Sequence, residues 1–171
     1  MGQVIPIEQL AELATRLRRD GKRIVFTNGH FDLLHVGHLR YLRAARQLGD
    51  VLIVGVNDDA NTTARKGLRR PIIPEGERAE LVAGLECVDF ASIFHEPTAH
   101  AVLERLEPEI YVKGGDYSLD PQEGATPLPE AEAVRRYGGD VRILPLAPGN
   151  STSDIEQRII ERWRQHGHDT P

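Results

Sequence analysis

The thirteen residues TNGHFDLLHVGHL, Thr27 to Leu39, carry three histidines and an aspartate directly after an apolar run. Three chemistries compete for such a cluster: metal ligation, acid and base catalysis, or a cradle for phosphate. His35 and His38 are three apart, so a helix starting there turns both rings to one face, and Gly37 lets a ligand approach the backbone. Free amides at a helix start add partial positive charge and attract phosphate, and imidazoles beside them can donate hydrogen bonds to charge growing in a transition state. A single histidine in such a turn more often caps or packs. Two of them on one strand-to-helix turn, beside Asp32, favour the cradle. Zinc would require a third protein ligand, and neither an HExxH sequence nor a cysteine pair is present. Walker A and GxGxxG fingerprints are absent as well.

The elements that must position this cluster are legible as alternating strands and helices, the pattern of βα units feeding a mostly parallel sheet. Helices are expected over Ile7 to Arg19, Val36 to Leu48, Glu75 to Leu85, Thr98 to Leu106, Pro129 to Tyr137 and from the Ser151-Thr152-Ser153-Asp154 cluster to Gln165, where hydroxyls and a carboxylate suit an N-cap. Strands are expected over Arg23 to Thr27, Asp50 to Asn57, Asp89 to Phe94, Glu109 to Val112 and Asp140 to Leu144. Five strands with crossing helices predict a three-layer doubly wound α/β fold, a Rossmann-like arrangement whose ligand site lies beyond the carboxyl ends of the strands. The segments there are TNGHFDLLHVGH, NDDANTTARKG, HEPT, KGGDY and PLAPGNSTS, and four of the five carry groups suited to an anion.

At 171 residues the chain is expected to form one domain, residues 1–171, with a core over about 21–163. Hydrophobic residues make up 40% and charged residues 27%, and no run approaches the roughly 18 apolar residues that would span a bilayer. The opening segment reads as an amphipathic helix with no apolar leader, so export and membrane association are not expected. The lone Cys87 excludes an internal disulfide and fits a reducing cytoplasm, the expected location. A net charge of -5 supplies no global positive field for nucleic acid. Anionic ligands must therefore be held locally. Of the three lysines, Lys66 and Lys113 fall in the glycine-containing loops after strands.

Thr27-Asn28-Gly29-x-Phe31-Asp32-x-x-His35-x-Gly37-His38 resembles the signature of the HxGH nucleotidyltransferase superfamily, and GNSTSDI, Gly149 to Ile155, resembles its second motif, a serine/threonine cluster at a helix start. Within that superfamily the likeness is closest to the adenylyltransferase domain that makes ADP-heptose from heptose 1-phosphate. TNGHFDLLHVGH, VNDDANTTARKGLRRPI, ERAELVAGLECVDF and YVKGGDY match it in order, over roughly Gly21 to Trp163. Glycerol-3-phosphate cytidylyltransferases usually carry an arginine five residues before the serine of the second motif, where this chain has Leu146. Two departures bear on the acceptor: His30 stands where heptose enzymes commonly have cysteine, and EGATPLPEAEAV, Glu123 to Val134, does not reproduce their usual segment. The sugar kinase domain often fused upstream is not in this sequence, which predicts a stand-alone transferase.

The resemblance implies transfer of AMP from ATP, with Mg²⁺, to a sugar 1-phosphate such as D-glycero-D-manno-heptose 1-phosphate, releasing pyrophosphate. His35 and His38 would hold the α and β phosphates, and Lys66, in the ARKGLRR loop, would close over the triphosphate or acceptor. Thr27, Asn28, Gly29, Phe31 and Gly37 belong to the implied nucleotide cradle; Gly114, Gly115 and Asp116 would line the nucleotide pocket, with Lys113 at the nucleotide or the acceptor phosphate. Ser151, Thr152 and Ser153 would meet the terminal phosphates. Asp32 is left between positioning Mg²⁺ through water and orienting a histidine. Asp58 and Asp59 are expected to cap the next element rather than bind a sugar hydroxyl. Two other functions stay open: CTP-dependent transfer to glycerol 3-phosphate or a similar small phosphate, and a non-catalytic nucleotide-binding module. A homodimer is open too, since symmetric dimers are common and relatives often form them.

Overall fold

In this computed structural model, which describes residues 2–115, 117–118, 126–145, 149 and 151–166, six strands of the described residues lie parallel in one sheet: β1 (Gln3–Val4), β2 (Ile24–Gly29), β3 (Val51–Asn57), β4 (Phe90–Phe94), β5 (Ile110–Gly114) and β8 (Asp140–Leu144). Their order across the sheet is β1-β4-β3-β2-β5-β8. A separate two-residue ladder pairs β6 (Tyr117–Ser118) with β7 (Thr126–Pro127). The central strand β2 sets Thr27 against Val54 on one side and Val112 on the other. Helices cover both faces, so β3, VLIVGVN, is buried along its whole length and reads as a continuous apolar run instead of alternating.

Side-chain alternation sorts the core into two layers. Ile24, Phe26, Ile53 and Tyr111 pack toward α1 (Leu10–Arg19), α5 (His100–Leu106) and α6 (Glu130–Arg136). Val25, Leu52, Val54, Ile110 and Val112 pack toward α2 (Val36–Arg46) and α4 (Glu75–Ala83). Gly55 in β3 leaves no room for a side chain: an added Cβ would lie 2.9 Å from the Phe26 ring and 3.2 Å from Asn28 Cβ.

The doubly wound parallel fold agrees with expectation, but the sheet has six strands, not five. β1 was missed because two residues carry no periodicity, and its pairing with Phe90 and Ala91 is a contact across the chain. A second correction is α3 (Asp59–Lys66), which occupies most of the segment read as a loop. Asp58 caps it, accepting from Asn61 N at 2.8 Å, so the capping reading of Asp58 was right. Lys66 is therefore the last residue of a helix, not part of a loop, with Gly67 following at φ 96°. Among the described residues no helix is long and apolar enough to cross a membrane.

Candidate active site

Beyond the carboxyl ends of β2, β3 and β5 opens a cavity of about 670 Å³. Asn28, Gly29, His30, Phe31 and His38 enter it from the β2 side, Asn57, Asn61, Arg65 and Lys66 from the β3 side, and Lys113 and Gly114 from β5. Thr98 at the foot of α5 and Glu130 at the foot of α6 close it.

The extended backbone of His35 (φ -139°, ψ 170°) makes it the N-cap of α2, and its Nδ1 accepts from His38 N at 3.4 Å. An Nδ1 that accepts leaves the proton of a neutral imidazole on Nε2, where it is a donor. The His38 ring stacks on that of His35, with centroids 3.8 Å apart and planes 21° apart, and meets the edge of Phe31 at 5.3 Å. Burial, with a smaller contribution from His35, lowers the His38 pKa to about 4, so the ring is neutral near pH 7. Its Nδ1 is buried without a hydrogen-bond partner among the described residues. Phe31 takes a left-handed backbone (φ 49°) and is buried, its ring folded to 3.1 Å from where a Cβ on Gly29 would stand. That contact explains the glycine.

α7 (Thr152–His166) carries its own cap. Ser151 N donates to Asp154 Oδ2 at 2.9 Å and Asp154 N to Ser151 Oγ at 3.1 Å, a reciprocal cap. The Asp154 carboxylate is near enough to raise the proton affinity of His35, although burial outweighs it and the His35 pKa is lowered. Asp154 in the first turn of α7 is thus within electrostatic reach of His35, the N-cap of α2. Each helix start carries partial positive charge.

Other residues named from the sequence fall into supporting places. Thr27 is fully buried; its hydroxyl lies 2.7 Å from Tyr41 Oη, which donates to Val112 O at 3.1 Å. It therefore braces β2, α2 and β5 rather than facing the cavity. Asn28 Oδ1 accepts from Tyr111 Oη and Lys113 Nζ, each at 2.9 Å. Burial lowers the Lys113 pKa to about 8, against an opposing pull from Glu130. Gly37 is buried in the first turn of α2. Gly115 has φ 111° and donates to Leu144 O at 3.3 Å, tying the end of β5 to β8. Thr152 and Ser153 open α7. Asp116 and Leu146 lie outside the described residues.

Asp32 has both oxygens committed: Oδ1 accepts from Ile72 N at 2.7 Å and Ile73 N at 3.0 Å, and Oδ2 pairs with Arg70. The same Arg70 guanidinium reaches Glu156 on α7. These donors hold the Asp32 carboxyl below its usual pKa despite burial, led by the Ile73 amide. Among the described residues no group of three or more His, Cys, Asp or Glu is placed to hold a metal ion. The donor set does not fit a magnesium caged by protein, since Asp32 and Asp154 are both engaged and Glu130 is a single carboxylate. Mg²⁺ commonly comes instead on substrate phosphates with its own waters.

Sequence reasoning missed Arg78. It is fully buried on α4, donating to Ile73 O at 2.9 Å and to His30 O, and pairing with Asp59 Oδ1 at 2.7 Å. Nothing in a helical window marks one arginine as buried. Its partners are 5, 48 and 19 residues away.

The family model described as cytidylyltransferase-like matches residues 26–158. The chain belongs to that family of nucleotidyltransferases. The bifunctional protein HldE of Trichlorobacter lovleyi is 44% identical over 156 residues, which is 91% of this chain and 30% of that protein. That of Pseudomonas aeruginosa is 45% identical over 159 residues, 93% of this chain and 32% of that one. The chain thus spans about a third of the length of these curated relatives. The structure of a lipopolysaccharide core biosynthesis protein from Thermoplasma volcanium is 32% identical, with a TM-score of 0.58, over 74% of this chain and 98% of that one. A pantoate-beta-alanine ligase from Francisella tularensis, complexed with beta-gamma ATP and beta-alanine, shares only the fold, at 13% identity and a TM-score of 0.56, over 100% of this chain and 82% of that one.

Proposed function

We propose that this nucleotidyltransferase moves AMP from ATP to a sugar 1-phosphate, D-glycero-D-manno-heptose 1-phosphate being the favoured acceptor, and releases pyrophosphate. The observation that carries the reading is the stacked pair His35 and His38 at the α2 start, with Asp154 of the α7 start within electrostatic reach of His35. The relatives named HldE and the Thermoplasma protein of lipopolysaccharide core biosynthesis support a sugar phosphate as acceptor.

In this mechanism an acceptor phosphate oxygen attacks the α-phosphorus in line, forming a new P–O bond as the bond to the bridging oxygen of pyrophosphate breaks. Such transfer needs positioning and charge stabilisation more than covalent help. His35 donates through Nε2 to a phosphate oxygen, and His38 stabilises the charge that grows on the triphosphate in the transition state. The amides at the starts of α2 and α7 receive phosphate oxygens, with the Ser151, Thr152 and Ser153 segment at the β and γ positions. Lys66, at the mouth, draws in the triphosphate or acceptor, and Lys113 supplies a second cation beside Asn28. Mg²⁺ arriving with the substrate would supply charge neutralisation there. Asp32 anchors the Arg70 segment through both of its oxygens.

Pyrophosphate release tests the proposal with ATP or CTP against heptose 1-phosphate, hexose 1-phosphates and glycerol 3-phosphate. ATP with a sugar 1-phosphate is expected to turn over best. Turnover confined to CTP with glycerol 3-phosphate would overturn it in favour of the cytidylyl reading. Nucleotide binding without pyrophosphate from any pair would make the chain a binding module.

A further inference from the structure

Glu130 is out of keeping with the rest of the cavity. The wall is built of cations, amides and apolar groups, and among the described lining residues Glu130 is the sole carboxylate. The residue is only 8% exposed, and its carboxylate oxygens are the part that opens into the cavity. A carboxylate that opens into a cavity is free to accept hydrogen bonds from a ligand seated there. Lys113 offsets its charge at longer range, and Arg65 and Lys66 line the same cavity.

Its place in the fold narrows what it can meet. Glu130 rises from α6, in the layer of α1 and α5, beside Thr98 and Ala99. The stacked histidines belong to α2, in the opposite layer. A carboxylate repels phosphate and accepts hydrogen bonds only. His30 offers a second acceptor. Its Nδ1 lies 3.0 Å from Thr62 Oγ1, whose own proton goes to Asp58 O at 2.7 Å, so His30 Nδ1 is the donor and Nε2 keeps a lone pair. Burial together with the charges of Lys66, Arg65, Arg78 and Lys113 keeps this ring unprotonated.

We infer that Glu130 and His30 Nε2 form an acceptor pair that reads hydroxyl groups of the acceptor substrate, making both specificity-determining residues for a polyhydroxylated phosphate. This rests on the sugar-phosphate reading above. The cations take the acceptor's phosphate while the pair takes its hydroxyls, so phosphates without a hydroxylated body are rejected at the same site.

The test measures pyrophosphate release from ATP with D-glycero-D-manno-heptose 1-phosphate, mannose 1-phosphate and their deoxy analogues, for the wild type, Glu130→Gln, Glu130→Ala and His30→Asn. In the wild type, one deoxy position is expected to lower kcat/KM by about 10²-fold, the scale of a lost hydrogen bond to a charged group. Glu130→Gln is expected to raise KM for the sugar phosphate about tenfold and Glu130→Ala more, with KM for ATP within twofold. Discrimination against that deoxy analogue should collapse in both. Unchanged discrimination in the variants overturns the inference and leaves the function standing; a wild type blind to every deoxy position does the same without any variant. No turnover of any sugar 1-phosphate by the wild type overturns the function and the inference together.

Discussion

At the scale of single residues, the division of labour among the histidines follows from which ring nitrogen each has free. His35 spends Nδ1 on the α2 cap and keeps a donor, whereas His30 spends its Nδ1 proton on Thr62 and keeps an acceptor. His38 is neutral and stacked on His35. A neutral ring placed against a triphosphate acts by hydrogen bonding and not by net charge. His38→Ala is accordingly expected to cut turnover by about 10²-fold or more while ATP affinity, read by titration calorimetry, changes much less. Near-normal turnover would remove His38 from the transition state.

At the scale of elements, the open question is what holds α7 against the β2 loop. Its apolar residues Ile159, Ile160 and Trp163 are exposed, so burial alone fastens it poorly. Arg70 supplies a clasp, joining Asp32 after β2 to Glu156 on α7. The Arg70 and Asp32 side chains are 11% and 7% exposed, and removing one partner of a buried pair strands the other charge. Arg70→Ala should therefore destabilise the fold by about 3 kcal/mol in urea titration and raise KM for ATP by letting α7 drift from the histidines. Glu156→Gln, at a partner 39% exposed, should cost only about 0.5 kcal/mol. A loss that small for Arg70→Ala would show the clasp to be ornamental.

At the scale of the whole molecule, stability should fall on mild acidification. His30 and His38 both titrate at about 4 instead of the ordinary 6.5. Between those values the unfolded chain binds protons that the folded one refuses, so stability drops as pH falls from about 6.5 toward 4 and is flat just above that window. Each ring contributes up to about 1.4 kcal/mol per pH unit. The carboxyls of Asp32 and Asp58, held below their usual values, add to the loss further down. His95, raised by its bond to Asp58, works the other way, but at 68% exposure it is well screened. Urea midpoints at pH 7 and pH 4.5 check the direction, and His30→Asn should shallow the slope.

The amino-acid sequence by itself determined the doubly wound parallel class, because buried strands and amphipathic helices announce themselves within windows of ten residues. It also marked the β2 to α2 turn and the α7 start, where cap chemistry and histidine spacing are local. The tertiary structure decided the rest. A sixth strand two residues long, the burial of Arg78, the engagement of Asp32 in the Arg70 clasp, and the placing of the Glu130 carboxylate among the cations of the cavity all depend on segments tens of residues apart. Spacing along the chain can specify which groups share a turn; only packing specifies which polar groups lose water, and that loss is what sets their pairing, protonation and use.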